Sequence, residues 1–222
     1  FKLNKISKAI QLLAMLAKNN HSYAQVDLAL IYLEGKYVEY NIDYAHDLLV
    51  LSAKQNNVTA QMWLSDLYFH ENKYKDYSKA VYYNELASKQ DRIAQYNMGN
   101  FYLIGFYCKK DINKAIKYFN LSADQNYSEA QFMLGKIYYE GKLVNRNIEK
   151  SIKYFTLAST QNHAEAQYYL GHIYYDGYYV NKDINKVIYY FTKAADNNYA
   201  DAQYDLGIIY YRGEYVKQNI NK

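Results

Sequence analysis

The 222-residue chain has no proline, a single cysteine and no apolar run approaching the ~20 residues that a membrane-crossing helix needs. Cys108 by itself excludes an internal disulfide framework, and no Cys or His pair has the spacing of a structural zinc site. A lone thiol is also more comfortable in a reducing, cytoplasmic compartment. The 26 basic and 22 acidic residues leave a net charge of only +4, too little for the footprint of a nucleic-acid binder. The sequence starts at Phe1, with no start methionine or secretory leader in view, and reads as a piece of a longer chain. Half of the residues are apolar and 22% are charged, which is a folding composition rather than a disordered one. Tyrosine is abundant, at 31 residues.

The order in the chain shows in its alanines. Ala24, Ala60, Ala94, Ala130, Ala166 and Ala202 are each followed by Gln, at spacings of 36, 34, 36, 36 and 36. Counting each Ala as position 0, position +4 holds Leu or Met and position +5 holds Ala, Ser or Gly. Position +8 is tyrosine in all six copies (Tyr32, Tyr68, Tyr102, Tyr138, Tyr174, Tyr210), a coincidence of about one in a hundred thousand. Positions 0, +4, +7 and +8 form one stripe of an α-helix, helix A. Gly35, Gly105, Gly141, Gly177 and Gly213 at +11 suit a left-handed helix exit, and the second copy departs from this with Glu71. Asn41, Asp76, Asp111, Asn147, Asp183 and Asn219 then stand where a second helix, B, needs an N-cap. Helix B ends in small pairs such as Ala158-Ser159. Asn56, Asp91, Asn126, Asn162 and Asn198 follow, at expected left-handed exits.

Such hairpins cannot bury their apolar faces singly, so they stack. The expected fold is all-α: a right-handed α/α superhelical solenoid of ~36-residue helical hairpins over residues 1–222. It starts inside a helix B, contains five complete hairpins and stops before the next helix B. Neither end shows a polar capping repeat, which again predicts continuation in both directions. The second copy is one residue short on each side of its helix B, and this predicts a local change of superhelical curvature near residues 70–92.

The string Ala-Gln-x-x-Leu-Gly-x-x-Tyr-x-x-Gly, then Val, Asx and an aromatic pair, as in Ala130 to Phe155, resembles the Sel-1-like repeat family over essentially the whole chain. The related tetratricopeptide repeat keeps a 34-residue period and usually a proline between units. The resemblance implies a non-enzymatic adaptor or scaffold for protein complexes. The disulfide-bearing branch of the family, discussed for β-lactam chemistry, does not fit a chain whose lone Cys108 takes the +14 position of valine.

The sequence offers no catalytic constellation, metal ligand set, cofactor motif or small-molecule substrate site. The five histidines are scattered without a His-x3-His pair and read as surface or groove residues, and Gly135-Lys136 and Gly141-Lys142 lack the P-loop spacing. Helix A does carry a second apolar face, at +2 and +9. By analogy with tetratricopeptide proteins that face lines the concave groove, which makes Tyr96, Phe132, Tyr139, Tyr168, Tyr175, Tyr204 and Tyr211 the candidate contacts for a protein or peptide partner. The same rings could instead pack against the next helix A. Positions +6 and +10 vary beside this stripe, as a specificity surface would. Trp63, the one tryptophan, stands at +3 and reads as a local repair of the second copy or as a partner anchor. Two rival functions are RNA binding through exposed tyrosines, against which the small net charge argues, and a passive spacer between unseen domains.

Overall fold

In the computed structural model, residues 2–213 are described. They contain twelve α-helices and no strand: α1 (Lys2–Lys18), α2 (Ser22–Glu34), α3 (Ile42–Lys54), α4 (Val58–His70), α5 (Tyr77–Ala87), α6 (Arg92–Ile104), α7 (Ile112–Asp124), α8 (Ser128–Glu140), α9 (Ile148–Thr160), α10 (Ala164–Asp176), α11 (Ile184–Asp196) and α12 (Ala200–Arg212). The fold is an all-α solenoid of helical hairpins, with even-numbered helices as A and odd-numbered helices as B. The chain divides into two compact units, Phe1–Asp111 and Ile112–Lys222.

Local chemistry explains the helix ends. Gly35, Gly105, Gly141, Gly177 and Gly213 all adopt positive φ, between 63° and 78°, where a β-carbon would be strained. Asn41, Asp76, Asn147 and Asp183 accept a backbone N–H from the first turn of α3, α5, α9 and α11, at 2.9 to 3.2 Å. Asn219 lies outside the described residues. Asn20, Asn56, Asn126, Asn162 and Asn198 make the left-handed turns that leave helix B. Asp91 does not. Its φ is −103° and its carboxylate caps α6, accepting from the Ile93 and Ala94 N–H groups at 2.8 Å. The residue missing there is the left-handed one, so the position after the turn moves into its place, and α5 is 11 residues long where α3, α7, α9 and α11 have 13. Helix α5 instead runs from its C-cap Ser88, at φ −63°, to Asp91 through a turn without a left-handed residue, and the Asp91 N–H bonds the Ala87 carbonyl at 3.0 Å.

The Ala-Gln dipeptide joins the repeats. Each of these alanines is buried, and each glutamine donates its side-chain amide to a carbonyl in the small pair of the preceding helix B: Ala17, Ala53, Ser88, Ala123, Ser159 and Ala195, at 2.9 to 3.5 Å. The Gln25, Gln131 and Gln167 side-chain oxygens accept in turn from Gln55, Gln161 and Asn197 of the following turn, at 2.7 to 2.9 Å. Buried amides satisfied in this way set the register between hairpins as well as stabilising them.

Position +8 is explained by packing. Tyr68, Tyr138 and Tyr174 lie nearly parallel to Tyr83, Tyr154 and Tyr190 of helix B, with ring centroids 5.7 to 6.1 Å apart. Lys79, Lys150 and Lys186, from the first turn of the same helix B, sit 4.4 to 5.1 Å from the +8 ring centroids. In all five A-to-B loops the carbonyl of this tyrosine also accepts the N–H of the residue that precedes helix B. The repeated tyrosine is thus a hinge pin between A and B, committed to the fold.

Candidate functional site: clefts between successive A helices

The structure places the seven candidate residues in different surroundings. Phe132 is 7% exposed, with its ring 4.6 Å from His163 and 5.8 Å from Tyr169. Tyr139 packs edge-on against Tyr169 at 5.6 Å, and Tyr168 packs on Phe191 and His172 while its hydroxyl donates to Asp205 at 3.0 Å. Burial raises the pKa of the Tyr139 and Tyr168 hydroxyls, which stay protonated donors. These rings fill the seam between one helix A and the next. Tyr96 and Tyr175 are half-buried, and Lys182 covers the Tyr175 ring at 4.6 Å. Tyr204 and Tyr211 on α12 are 70% and 69% exposed.

Each unit carries clefts along these seams. In the first unit, Leu30, Leu33, Glu34, Tyr40, Trp63, Asp66, Leu67 and Glu71 line one of about 450 Å³ between α2 and α4. A second, of about 230 Å³ between α4 and α6, is walled by Met62, Asp66, Phe69, His70 and Phe101 over a floor that includes Ser65, Asn84 and Asn97. In the second unit, His172, Tyr175, Tyr204, Asp205, Ile208 and Arg212 border a cleft of about 260 Å³ between α10 and α12. Tyr139, Arg146, Asp176, Tyr178 and Tyr179 border another, of about 480 Å³, at the loops that follow α8 and α10. Arg146 lies over the Tyr179 ring at 5.3 Å and donates to its hydroxyl.

The three clefts between A helices share positions +6 and +9 of one helix A and +3 and +7 of the next, and two of them add +10 of the first helix. Sequence reading picked out +6, +9 and +10. For the +2 stripe it left groove and packing against the next helix A both open: Phe132 and Tyr168 pack in the seam, and Met62 and Tyr204 line clefts. It passed over +3 except at Trp63, although Asn97 and Asp205 share that role. The signal was available: +3 lies about one turn before +6 and two turns before +10 on the same face.

Two of the histidines read as surface or groove residues serve the fold. His21 and His163 cap α2 and α10, each accepting a backbone N–H through Nδ1 at 3.2 and 3.3 Å. Burial holds the His163 pKa below the usual histidine range, consistent with a neutral acceptor. Cys108 is half-buried and its thiol donates to the Phe101 carbonyl at 3.5 Å. Among the described residues, no group of His, Cys, Asp and Glu side chains is arranged to hold a metal ion, and no helix is long and apolar enough to cross a membrane.

A family model described as Sel1 repeat matches residues 22–57, 58–91, 92–127, 128–163, 164–199 and 200–222 in unbroken succession. The chain belongs to the Sel1 repeat family. Among solved structures, it is similar to a Sel1 repeat protein from Oxalobacter formigenes, with 26% identity and a TM-score of 0.80 over 99% of this chain and 93% of that one. It is also similar to c5321, a protective antigen of uropathogenic Escherichia coli with the same type of repeat fold, at 25% identity and a TM-score of 0.56 over 92% of this chain and 52% of that one. A Sel1 repeat protein from Klebsiella pneumoniae, at 18% identity and a TM-score of 0.51 over 90% and 98% of the two chains, shares the fold. The search of curated proteins found no match. Sel1 repeat proteins are generally non-catalytic scaffolds for protein–protein interaction.

Proposed function

We propose that this Sel1 repeat chain is a non-enzymatic adaptor that seats protein or peptide segments in the clefts between successive A helices. The observation that carries this reading is the lining of those clefts, where the variable positions +6 and +10 meet on a frame held rigid by +8 and the Ala-Gln pairs. A rigid frame with variable lining is how a repeat protein changes partner without changing fold. Tyr175 and Tyr204 border the cleft between α10 and α12, and Tyr211 lies exposed on α12. They supply apolar area and a hydroxyl at low entropic cost. Phe132 is set aside as a contact because it presents almost no surface.

Selection of a displayed peptide library on the chain, followed by calorimetry with the selected peptides, tests the proposal. A Tyr204→Ala, Ile208→Ala, Tyr211→Ala triple variant of unchanged helicity should lose at least about tenfold in affinity for peptides seated between α10 and α12. Selection of no peptide at all, or affinities unmoved by this variant and by Leu30→Ala in the first unit, would overturn the reading and leave a passive spacer.

A further inference from the structure

The cleft between α2 and α4 differs from the others in charge. Its apolar lining is Leu30, Leu33 and Leu67 with the aromatic side chains Trp63 and Tyr40. Its polar lining is three carboxylates, Glu34, Asp66 and Glu71, with no Lys or Arg. α2, α4 and the Glu71 cap together hold four carboxylates and no Lys or Arg, in a chain whose net charge is +4. The nearby cations are occupied elsewhere: Lys36 lies 5.2 Å from the Tyr37 ring centroid, and Lys73 bonds Asp43 at 2.6 Å. His70 approaches Asp66 at 3.6 Å, but from the side of the cleft between α4 and α6. By contrast, the cleft between α10 and α12 includes a cation, Arg212 of α12, and has His172 beside Asp205 at 3.3 Å.

We propose that the cleft between α2 and α4 recognises an arginine side chain of an extended partner segment, with its apolar neighbours lying on Leu30 and Leu33. Tryptophan is the strongest aromatic partner for a cation, and Trp63, 37% exposed, presents surface for one. The carboxylates lie around the cleft without forming a metal cluster, which suits a cation spread over a side chain rather than a point ion. At about 450 Å³ the cleft is within the size range of sites that enclose a small ligand or a few side chains. The inference deepens the adaptor reading and rests on it.

Trp63 is the only tryptophan, so its emission reports on this cleft alone. The experiment titrates the whole chain with the capped peptide Leu-Arg-Leu-Arg-Leu and with the same peptide carrying citrulline, the neutral isostere of arginine. Calorimetry runs in parallel. The arginine peptide should shift Trp63 emission saturably and bind at least about tenfold more tightly than the citrulline peptide. A Glu34→Gln, Asp66→Asn, Glu71→Gln variant should erase that preference. A Glu85→Gln, Glu149→Gln, Asp196→Asn variant, which removes three exposed carboxylates away from the cleft, should keep it. Equal binding of both peptides with a Trp63 response would overturn cation recognition and leave the adaptor reading standing. Calorimetric binding without a Trp63 response would overturn the choice of cleft. Should neither peptide bind while library-selected peptides do, the cation site alone falls; should nothing bind at all, both readings fall together.

Discussion

The hairpin α4–α5 and the hairpins α8–α9 and α10–α11 follow the same plan with different interiors. In the later pair, glycine at +5 faces a phenylalanine of helix B so closely that a β-carbon on Gly135 would lie 2.5 Å from the Phe155 ring, and one on Gly171 2.3 Å from Phe191. In α4–α5 the corresponding residues are Ser65 and Asn84. Ser65 donates to the Ala80 carbonyl and Asn84 to the Ala94 carbonyl, both at 2.9 Å. Without a large ring there, the seam opens into the polar-floored cleft between α4 and α6. The same frame therefore takes a ring against glycine in one hairpin and two small polar residues in another: Phe191 gives the cleft between α10 and α12 an apolar side, whereas Ser65 and Asn84 give the cleft between α4 and α6 a polar one. One pair of positions per repeat thus sets the chemistry of the recess beside it.

The sharpest break in this comparison is Phe155→Ala, which empties a fully buried site and should cost about 3–5 kcal/mol in urea denaturation followed by circular dichroism. Next comes Gly171→Ala. Phe191 is 1% exposed and has little room to retreat, so overpacking should cost about 1–3 kcal/mol. Adding Phe191→Leu should recover part of that loss, because Ala with Leu is the natural pairing at Ala29 and Leu49 in the first hairpin. A double variant no more stable than the sum of its parts would show that the two positions do not share one volume. On the polar side, Asn84→Ala should cost about 1–3 kcal/mol by removing the bond to the Ala94 carbonyl and taking from the Asn97 amide the acceptor it reaches at 3.3 Å.

Most of the fold was legible because backbone demands are local. A left-handed exit calls for Gly or Asn and a free helix N-terminus calls for an acceptor, so both read directly from spacing. The error at Asp91 came from the same source, since one deleted residue changes which demand a position answers. What stayed hidden was tertiary. The Ala-Gln pair was visible as a marker, yet its amide bond to the previous hairpin depends on a chain segment eight residues back, seven for Gln95, that no helical wheel contains. The candidate site was half legible for the same reason. A wheel orders the faces of one helix, but whether Phe132 or Tyr168 meets solvent is decided by the helices that follow, through Tyr169 for the first and Phe191 and Asp205 for the second.

The smallest expected effect separates the same two regions by pH. α6, beside the irregular hairpin, is capped by Asp91, whereas α10 in the regular half is capped by His163 through Nδ1, which accepts only when unprotonated. Burial holds the His163 pKa in the folded chain below its unfolded value. The unfolded chain therefore binds the extra proton first, and the contribution of this cap is complete above the ordinary histidine range and declines as the pH falls through it. Its size is bounded by that of a helix cap, about 1 kcal/mol. Amide hydrogen exchange at the start of α10 should accelerate, relative to the start of α6 and after correction for intrinsic rates, between about pH 7 and 5. His163→Asn keeps an acceptor and removes the titration, so the difference between the two helices should lose its pH dependence. Persistence of that dependence in the variant would move its origin to the carboxylates around α10, Glu129 and Glu165, whose charges oppose the burial effect on His163.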